Sequence, residues 1–185
     1  MAEPRTAEFT DAHGIAIVYD VHPAASDRRP RGVVQLLHGV GEHAGRYGAL
    51  IAELTSAGFT VYADDHRGHG RTGLKQHGDA AKLGRLGPGG MRAVVADEWQ
   101  LTELIRAENP GLPLVLLGHS WGSFLAQMVL NAHPDGYDAV ILTGSAHRTP
   151  TDLNSLPLNA RWKGPEAHGL EWLSRDPAVW EAFRA

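Results

Sequence analysis

The segment Gly118-His119-Ser120-Trp121-Gly122 sets a serine between two glycines in the pattern G-x-S-x-G. The four residues before it, Leu114 to Leu117, are strictly aliphatic and read as a buried strand. The residues from Trp121 to Ala132 carry Phe124, Leu125, Met128 and Val129 at helical spacing. A serine on a sharp turn from strand to helix is the arrangement of a nucleophile elbow. So tight a turn needs neighbours without side chains two residues away on either side, which Gly118 and Gly122 supply. It pushes the Ser120 hydroxyl into a cleft and aims the Trp121 backbone N–H and a helix N-terminus at the same point. Donors so placed stabilise the charge that develops on a carbonyl oxygen in acyl transfer, by about 3–4 kcal/mol each. Even with 22 glycines in the chain, a chance match is expected only roughly 0.1 times at this length.

A second segment, His38 to Tyr47 (His-Gly-Val-Gly-Glu-His-Ala-Gly-Arg-Tyr), also follows an apolar strand and opens a helix. It supports two readings. Gly39-x-Gly41-x-x-Ala44 fits a dinucleotide-binding fingerprint, with Asp64 ending the next strand about 20 residues on to bind a ribose. On that reading the chain is a nicotinamide-dependent oxidoreductase. Alternatively, His-Gly-x-Gly is the kind of loop that supplies a second oxyanion donor, here the Val40 N–H. The second reading also uses the serine elbow, which the first leaves without a role, and is preferred.

Eleven histidines offer further chemistry. His66 and His69 suggest a metal pair but lack a third ligand of the usual type, so no metal is expected. His119, inside the elbow, and Gly39, beside Val40, are candidate substrate contacts. His147, beyond the strand at Ala139 to Thr143, is a candidate contact and a remote candidate for the base. His38 and His43 read as residues that hold the loop backbone.

The elements that position these residues alternate. A hairpin is expected at Ala7 to Thr10 and Ile15 to Val21, turning at Asp11-Ala12-His13-Gly14. Strands are expected at Val33 to His38, Phe59 to Asp64, Pro113 to Leu117 and Ala139 to Thr143. Helices are expected at Arg46 to Ala57, Met91 to Glu108 and Trp121 to Ala132, with polar, glycine-rich sequence from Asp65 to Gly90. Short apolar strands alternating with amphipathic helices predict an α/β fold. Its sheet is mostly parallel, with helices on both faces and an antiparallel N-terminal hairpin. Ligands of such sheets bind at the carboxyl ends of the strands, where all of these candidate segments fall.

Composition narrows the classes. The chain has 185 residues and a formal net charge of −4, against nucleic-acid binding, which needs concentrated positive charge. It has no cysteine, which removes disulfides, thiolate metal sites and cysteine nucleophiles. No aliphatic run approaches the roughly 20 residues of a membrane span. Met1 to Thr10 has no apolar signal core, so a cytoplasmic location is expected.

Together these blocks resemble the monoacylglycerol lipase and lysophospholipase-like branch of the α/β-hydrolases, the serine aminopeptidase S33-type hydrolases. The resemblance rests on His38 to Tyr47, on Asp65-His66-Arg67-Gly68-His69-Gly70-Arg71-Thr72 and on Gly118 to Gly122. It rests more weakly on Glu171 to Pro177, similar to part of the family's cap. It implies the α/β-hydrolase fold, Ser120 as nucleophile, the Val40 and Trp121 N–H groups as oxyanion hole, and carboxyl esters of lipid-like alcohols as small-molecule substrates. It implies no metal and no organic cofactor.

The family's catalytic Asp and His follow the cap, and neither has a matching position among the 65 residues after Ser120. The chain therefore reads as an N-terminal portion, with a hydrolase core at 1–147, the start of a cap at 148–185, an incomplete cap and the last strands missing. Little esterase activity is expected of these residues alone. A non-catalytic chain binding lipid or a partner is the alternative. The uncovered strand at Ala139 to Thr143 is expected to promote self-association. Asp176-Pro177 predicts a helix start, with Val179, Trp180 and Phe183 on one side. With Trp172 as a candidate substrate contact, this segment is either a lid facing an acyl chain or a patch packed on the sheet domain.

Overall fold

A computed structural model describes residues 3–25, 29–147 and 159–184. The chain divides into two compact units, Met1–Ser145 and Ala146–Ala185. The first contains β1 (Arg5–Thr10), β2 (Ala16–His22), β3 (Gly32–Leu37), α1 (Gly48–Ser56), β4 (Phe59–Asp65), α2 (Gly70–His77), α3 (Gly90–Glu108), β5 (Leu114–His119), α4 (Trp121–Ala132) and β6 (Ala139–Thr143). The second contains α5 (Pro177–Arg184).

The six strands form one sheet in the order β1-β2-β4-β3-β5-β6. β1 and β2 pair antiparallel, and β2 meets β4 antiparallel. The pairs β4–β3, β3–β5 and β5–β6 are parallel. β3 lies at the centre and is buried at all six positions. Its side chains alternate between two layers, as a pleated strand requires. Val34 and Leu36 pack with Ile51 of α1, Val61, Ala63 and Leu117. On the other face, Val33 packs with Leu101 and Ile105 of α3, and Leu37 with Val94 of α3 and Leu125 of α4. Each such aliphatic side chain contributes about 1.5–3 kcal/mol on burial. This is the expected α/β architecture, with helices on both faces and a hairpin at one edge.

Two local expectations are corrected. The polar, glycine-rich stretch from Asp65 to Gly90, in which no helix is expected, contains α2, which buries Thr72 and Gly73 and ends at Gly78, in the left-handed conformation at φ 62°. The buried Thr72 hydroxyl accepts the Val18 N–H at 2.8 Å. The helix expected from Arg46 begins as a 3-10 turn, Ala44–Tyr47, and becomes α-helical only at Gly48.

Arg67 is fully buried and ties the glycine-rich loop down. Its guanidinium pairs with Asp11 of the hairpin turn and, at 2.7 Å, with Asp97 of α3, and also donates to the Pro88 carbonyl. At the opposite edge, β6 pairs with β5 and is exposed at every position. Within the second unit, α5 is capped at its start by Asp176, whose Oδ1 accepts the Ala178 N–H at 3.0 Å. Trp172 packs edge-on against Phe183.

Candidate active site

Ser120 stands between the end of β5 and the first residue of α4, with φ 50° and ψ −117°. It is the one non-glycine with positive φ among the described residues, a conformation that costs about 1–3 kcal/mol and persists only where its surroundings impose it. The surroundings are tight. A Cβ on Gly118 would lie 2.5 Å from the Gly122 carbonyl oxygen, and one on Gly122 would lie 2.2 Å from that of Leu37. The Ser120 N–H donates to the Thr143 carbonyl at the end of β6 at 2.9 Å. The Ser123 hydroxyl and N–H both donate to the Ser120 carbonyl. The Trp121 N–H belongs to the first turn of α4, where N–H groups have no partner within the helix.

The loop after β3 lies against this turn: a Cβ on Gly39 would come within 3.4 Å of the Ser120 Cβ. The Gly39 N–H is occupied, donating to Glu42 Oε2 at 2.9 Å. The Tyr47 hydroxyl donates to the same oxygen at 2.6 Å. Burial first, and the Glu42 carboxylate second, raise the Tyr47 phenol well above its usual range, so it stays a donor. Among the described residues, neither the Val40 N–H nor the Ser120 hydroxyl has a hydrogen-bond partner. A free hydroxyl beside a free amide and a helix N-terminus can attack a carbonyl carbon and hold the resulting oxyanion.

The dinucleotide reading of this loop does not fit the geometry. The 3-10 turn separates the glycines from α1, so no helix N-terminus follows them directly. Asp64 is buried and bonded to His66 rather than open to a ribose.

The sequence-predicted site residues fall in two places. Ser120, Trp121, Val40, Gly39 and His119 converge within the first unit. The His119 ring meets Thr143 Oγ1 at 2.9 Å and Tyr47 edge-on. A groove of about 540 Å³ runs beside it, lined by Leu50, Leu54, Leu117, His119, Ile141 and Thr143 among others. His147 and Trp172 belong to the second unit; His147 is exposed and Trp172 half-buried there.

Below the loop lies a buried cluster that motif reading missed. His66 Nδ1 is 2.8 Å from both Asp64 Oδ2 and Glu98 Oε1, and all three side chains are buried. The His38 and His66 rings stack at 3.8 Å, and Trp121 stands edge-on to His66 at 5.5 Å. Burial opposes a charge on His66, but Asp64 and Glu98 outweigh it and hold its proton well above the ordinary range. Burial, then the Asp64 charge, raises Glu98 to about 7. Burial, then the neighbouring His66, keeps His38 neutral. The groups that partner His66 thus come from β4 and α3, and His69 is not among them. One signal was present in the sequence: Glu98 is a charged residue in the apolar stripe of α3, beside Val94, Leu101, Thr102 and Ile105.

Residues 28–185 match the family model of serine aminopeptidase, S33. The chain belongs to the S33 family of serine hydrolases. This S33 chain is 36% identical to a monoacylglycerol lipase of Mycolicibacterium smegmatis over 96% of its own length and 62% of the relative's. It is 32% identical to human monoglyceride lipase over 61% of its own length and 34% of the relative's. Among solved structures, a thermostable carboxyl esterase of Bacillus coagulans, in complex with glycerol, superposes with a TM-score of 0.83 at 28% identity. That match covers all of this chain and 66% of the esterase. The fold is thus the α/β-hydrolase fold, and the S33 chain spans about three-fifths of the length of the lipase it matches over most of its residues.

Proposed function

We propose that this S33 chain carries the nucleophile and oxyanion hole of a carboxylic ester hydrolase acting on lipid-like esters of the monoacylglycerol or lysophospholipid type. The observation that carries the reading is the positive φ of Ser120 at the strand-to-helix turn, with its free hydroxyl beside the Gly39–Val40 loop. Ser120 Oγ attacks the ester carbonyl, and the Val40 and Trp121 N–H groups stabilise the tetrahedral oxyanion. Collapse expels the alcohol and leaves an acyl-enzyme, which water hydrolyses to free acid and serine. The groove walled by Leu50, Leu54, Leu117 and Ile141 supports an apolar substrate, with Gly39 and His119 beside the reacting centre. The names of the lipase and esterase relatives support the same class. The second unit, with Trp172, is read as the beginning of a cap.

Each such step needs a base for the serine proton. Among the described residues, no histidine ring is bonded to Ser120; His119 is engaged with Thr143, and His66 with Asp64 and Glu98. Loss of the histidine from a serine triad lowers turnover roughly a millionfold. These 185 residues alone are therefore expected to hydrolyse esters barely above background. A fluorophosphonate probe followed by peptide mass spectrometry tests both parts. Slow labelling confined to Ser120, and absent in Ser120→Ala, is expected. Labelling at another residue overturns the nucleophile assignment, and prompt stoichiometric labelling overturns the statement about the base.

A further inference from the structure

Two buried imidazoles lie under the loop that bears Val40, and their protons can be placed from their partners. The His66 backbone N–H donates to His38 Nε2 at 3.1 Å, so that nitrogen is bare and the His38 proton sits on Nδ1. His38 Nδ1–H then donates to the Gly39 carbonyl oxygen at 2.7 Å. His66 faces acceptors from both ring nitrogens: the carboxylates of Asp64 and Glu98 at Nδ1, and the His38 carbonyl oxygen at Nε2, 3.2 Å away. Its geometry is that of an imidazolium donating from both sides. A cation stacked on His38 also disfavours a second proton there. The other titratable groups around the pair are His43, His69 and Asp97. His69 has its ring 5.4 Å from that of His38 and its Nδ1 on the Arg67 carbonyl, and Asp97 is held by Arg67.

We propose that His38 and His66 are positioning residues that aim the Val40 N–H, through the hydrogen bond from His38 Nδ1 to the Gly39 carbonyl. The Gly39 carbonyl and the Val40 N–H belong to one peptide unit. That unit is planar and trans, so the two groups point in opposite directions. Fixing the oxygen against His38 fixes the N–H away from it. The Glu42 N–H also donates to the Gly39 carbonyl, at 3.3 Å, and the Glu42 carboxylate pins the neighbouring peptide unit through the Gly39 N–H; the bond from His38 is the shorter of the two on the carbonyl. His66 acts one step further back: its backbone N–H selects the His38 tautomer, and its charge keeps His38 neutral. The inference rests on the reading of Val40 as an oxyanion donor, but the orientation itself requires no chemistry to be measured.

Nuclear magnetic resonance of the isotopically labelled chain tests it. Long-range proton–nitrogen spectra should show His38 as the Nδ1–H tautomer and His66 protonated on both nitrogens at pH 7. A His38 proton on Nε2, or a singly protonated His66, overturns the proposal in the wild-type chain without any substitution. The Val40 amide order parameter should be near 0.85 in the wild type and fall below about 0.6 in His38→Ala. In His38→Asn it should be restored, because the asparagine amide nitrogen replaces Nδ1. An unchanged Val40 value in a folded His38→Ala, or no recovery in His38→Asn, also overturns it. These readouts do not depend on Ser120. Failure of the phosphonate labelling would remove the catalytic meaning of the orientation and leave the orientation itself standing.

Discussion

At Ser120 the backbone conformation, rather than the side chain, singles the residue out. The strain is held by close contacts on both sides, and Gly122 is the most demanding of them. Gly122→Ala would drive a methyl group into the Leu37 carbonyl oxygen, 2.2 Å away. Both are backbone-fixed, so the substitution should lower stability by about 3 kcal/mol, measured by urea denaturation; a change below about 1 kcal/mol would show that the elbow can relax. The buried charges predict a pH dependence. Glu98 is raised to about 7 from 4.5, so its stabilising contribution is full below the unfolded value and gone above about 7. His66 is raised from 6.5; its contribution is full below 6.5 and is lost as pH climbs through the folded value. His38, lowered from 6.5, has the opposite slope, but only below about 6.5. Above pH 7 the urea midpoint should therefore fall steadily, and a flat or rising midpoint to pH 9 would contradict the charge assignment of His66. At this scale the elbow was legible in sequence because its glycines sit at fixed offsets. The Asp64–His66–Glu98 cluster was not, because β4 and α3 contribute its members from distant parts of the chain.

Elements with a strong apolar period were readable in advance: β3, β4, β5, α3 and α4 lie where the pattern places them, to within a residue or two. Helix α2 was not, because it has two glycines within it and buries only Thr72 and Gly73, so it lacks the stripe that marks a helix. Its position is set by tertiary partners instead: Val18 on Thr72, and the bidentate Arg71–Asp20 pair at 2.9 Å. β6 raises a different issue. Val140, Ile141 and Leu142 are 38%, 46% and 37% exposed, on an uncharged strand whose outer edge has no neighbour in the sheet among the described residues. Such an edge templates pairing with another strand. Light scattering should show concentration-dependent association between copies of the chain. Ile141→Lys, which puts a charge on the edge, should reduce it. A monomer at every concentration would remove the edge as an association site.

For the molecule as a whole, the first unit holds every residue assigned to the oxyanion chemistry, and the second holds His147, Trp172 and α5. Deleting residues 146–185 should therefore leave the slow phosphonate reaction at Ser120 within about twofold, read by the same mass spectrometric assay. A larger loss would place part of the reacting centre in the second unit. No helix among the described residues is long and apolar enough to cross a membrane.

The buried Arg67 guanidinium gives the first residues of the chain a part in folding that their distance from Ser120 conceals. Asp11 supplies one of its two counter-charges, and a buried charge left wholly uncompensated costs about 3–5 kcal/mol, of which losing one of two partners exacts a part. A shortened chain that begins after residue 15 would leave that cation half-compensated under the glycine-rich stretch it anchors, and it should be recovered as inclusion bodies rather than as a smaller working domain.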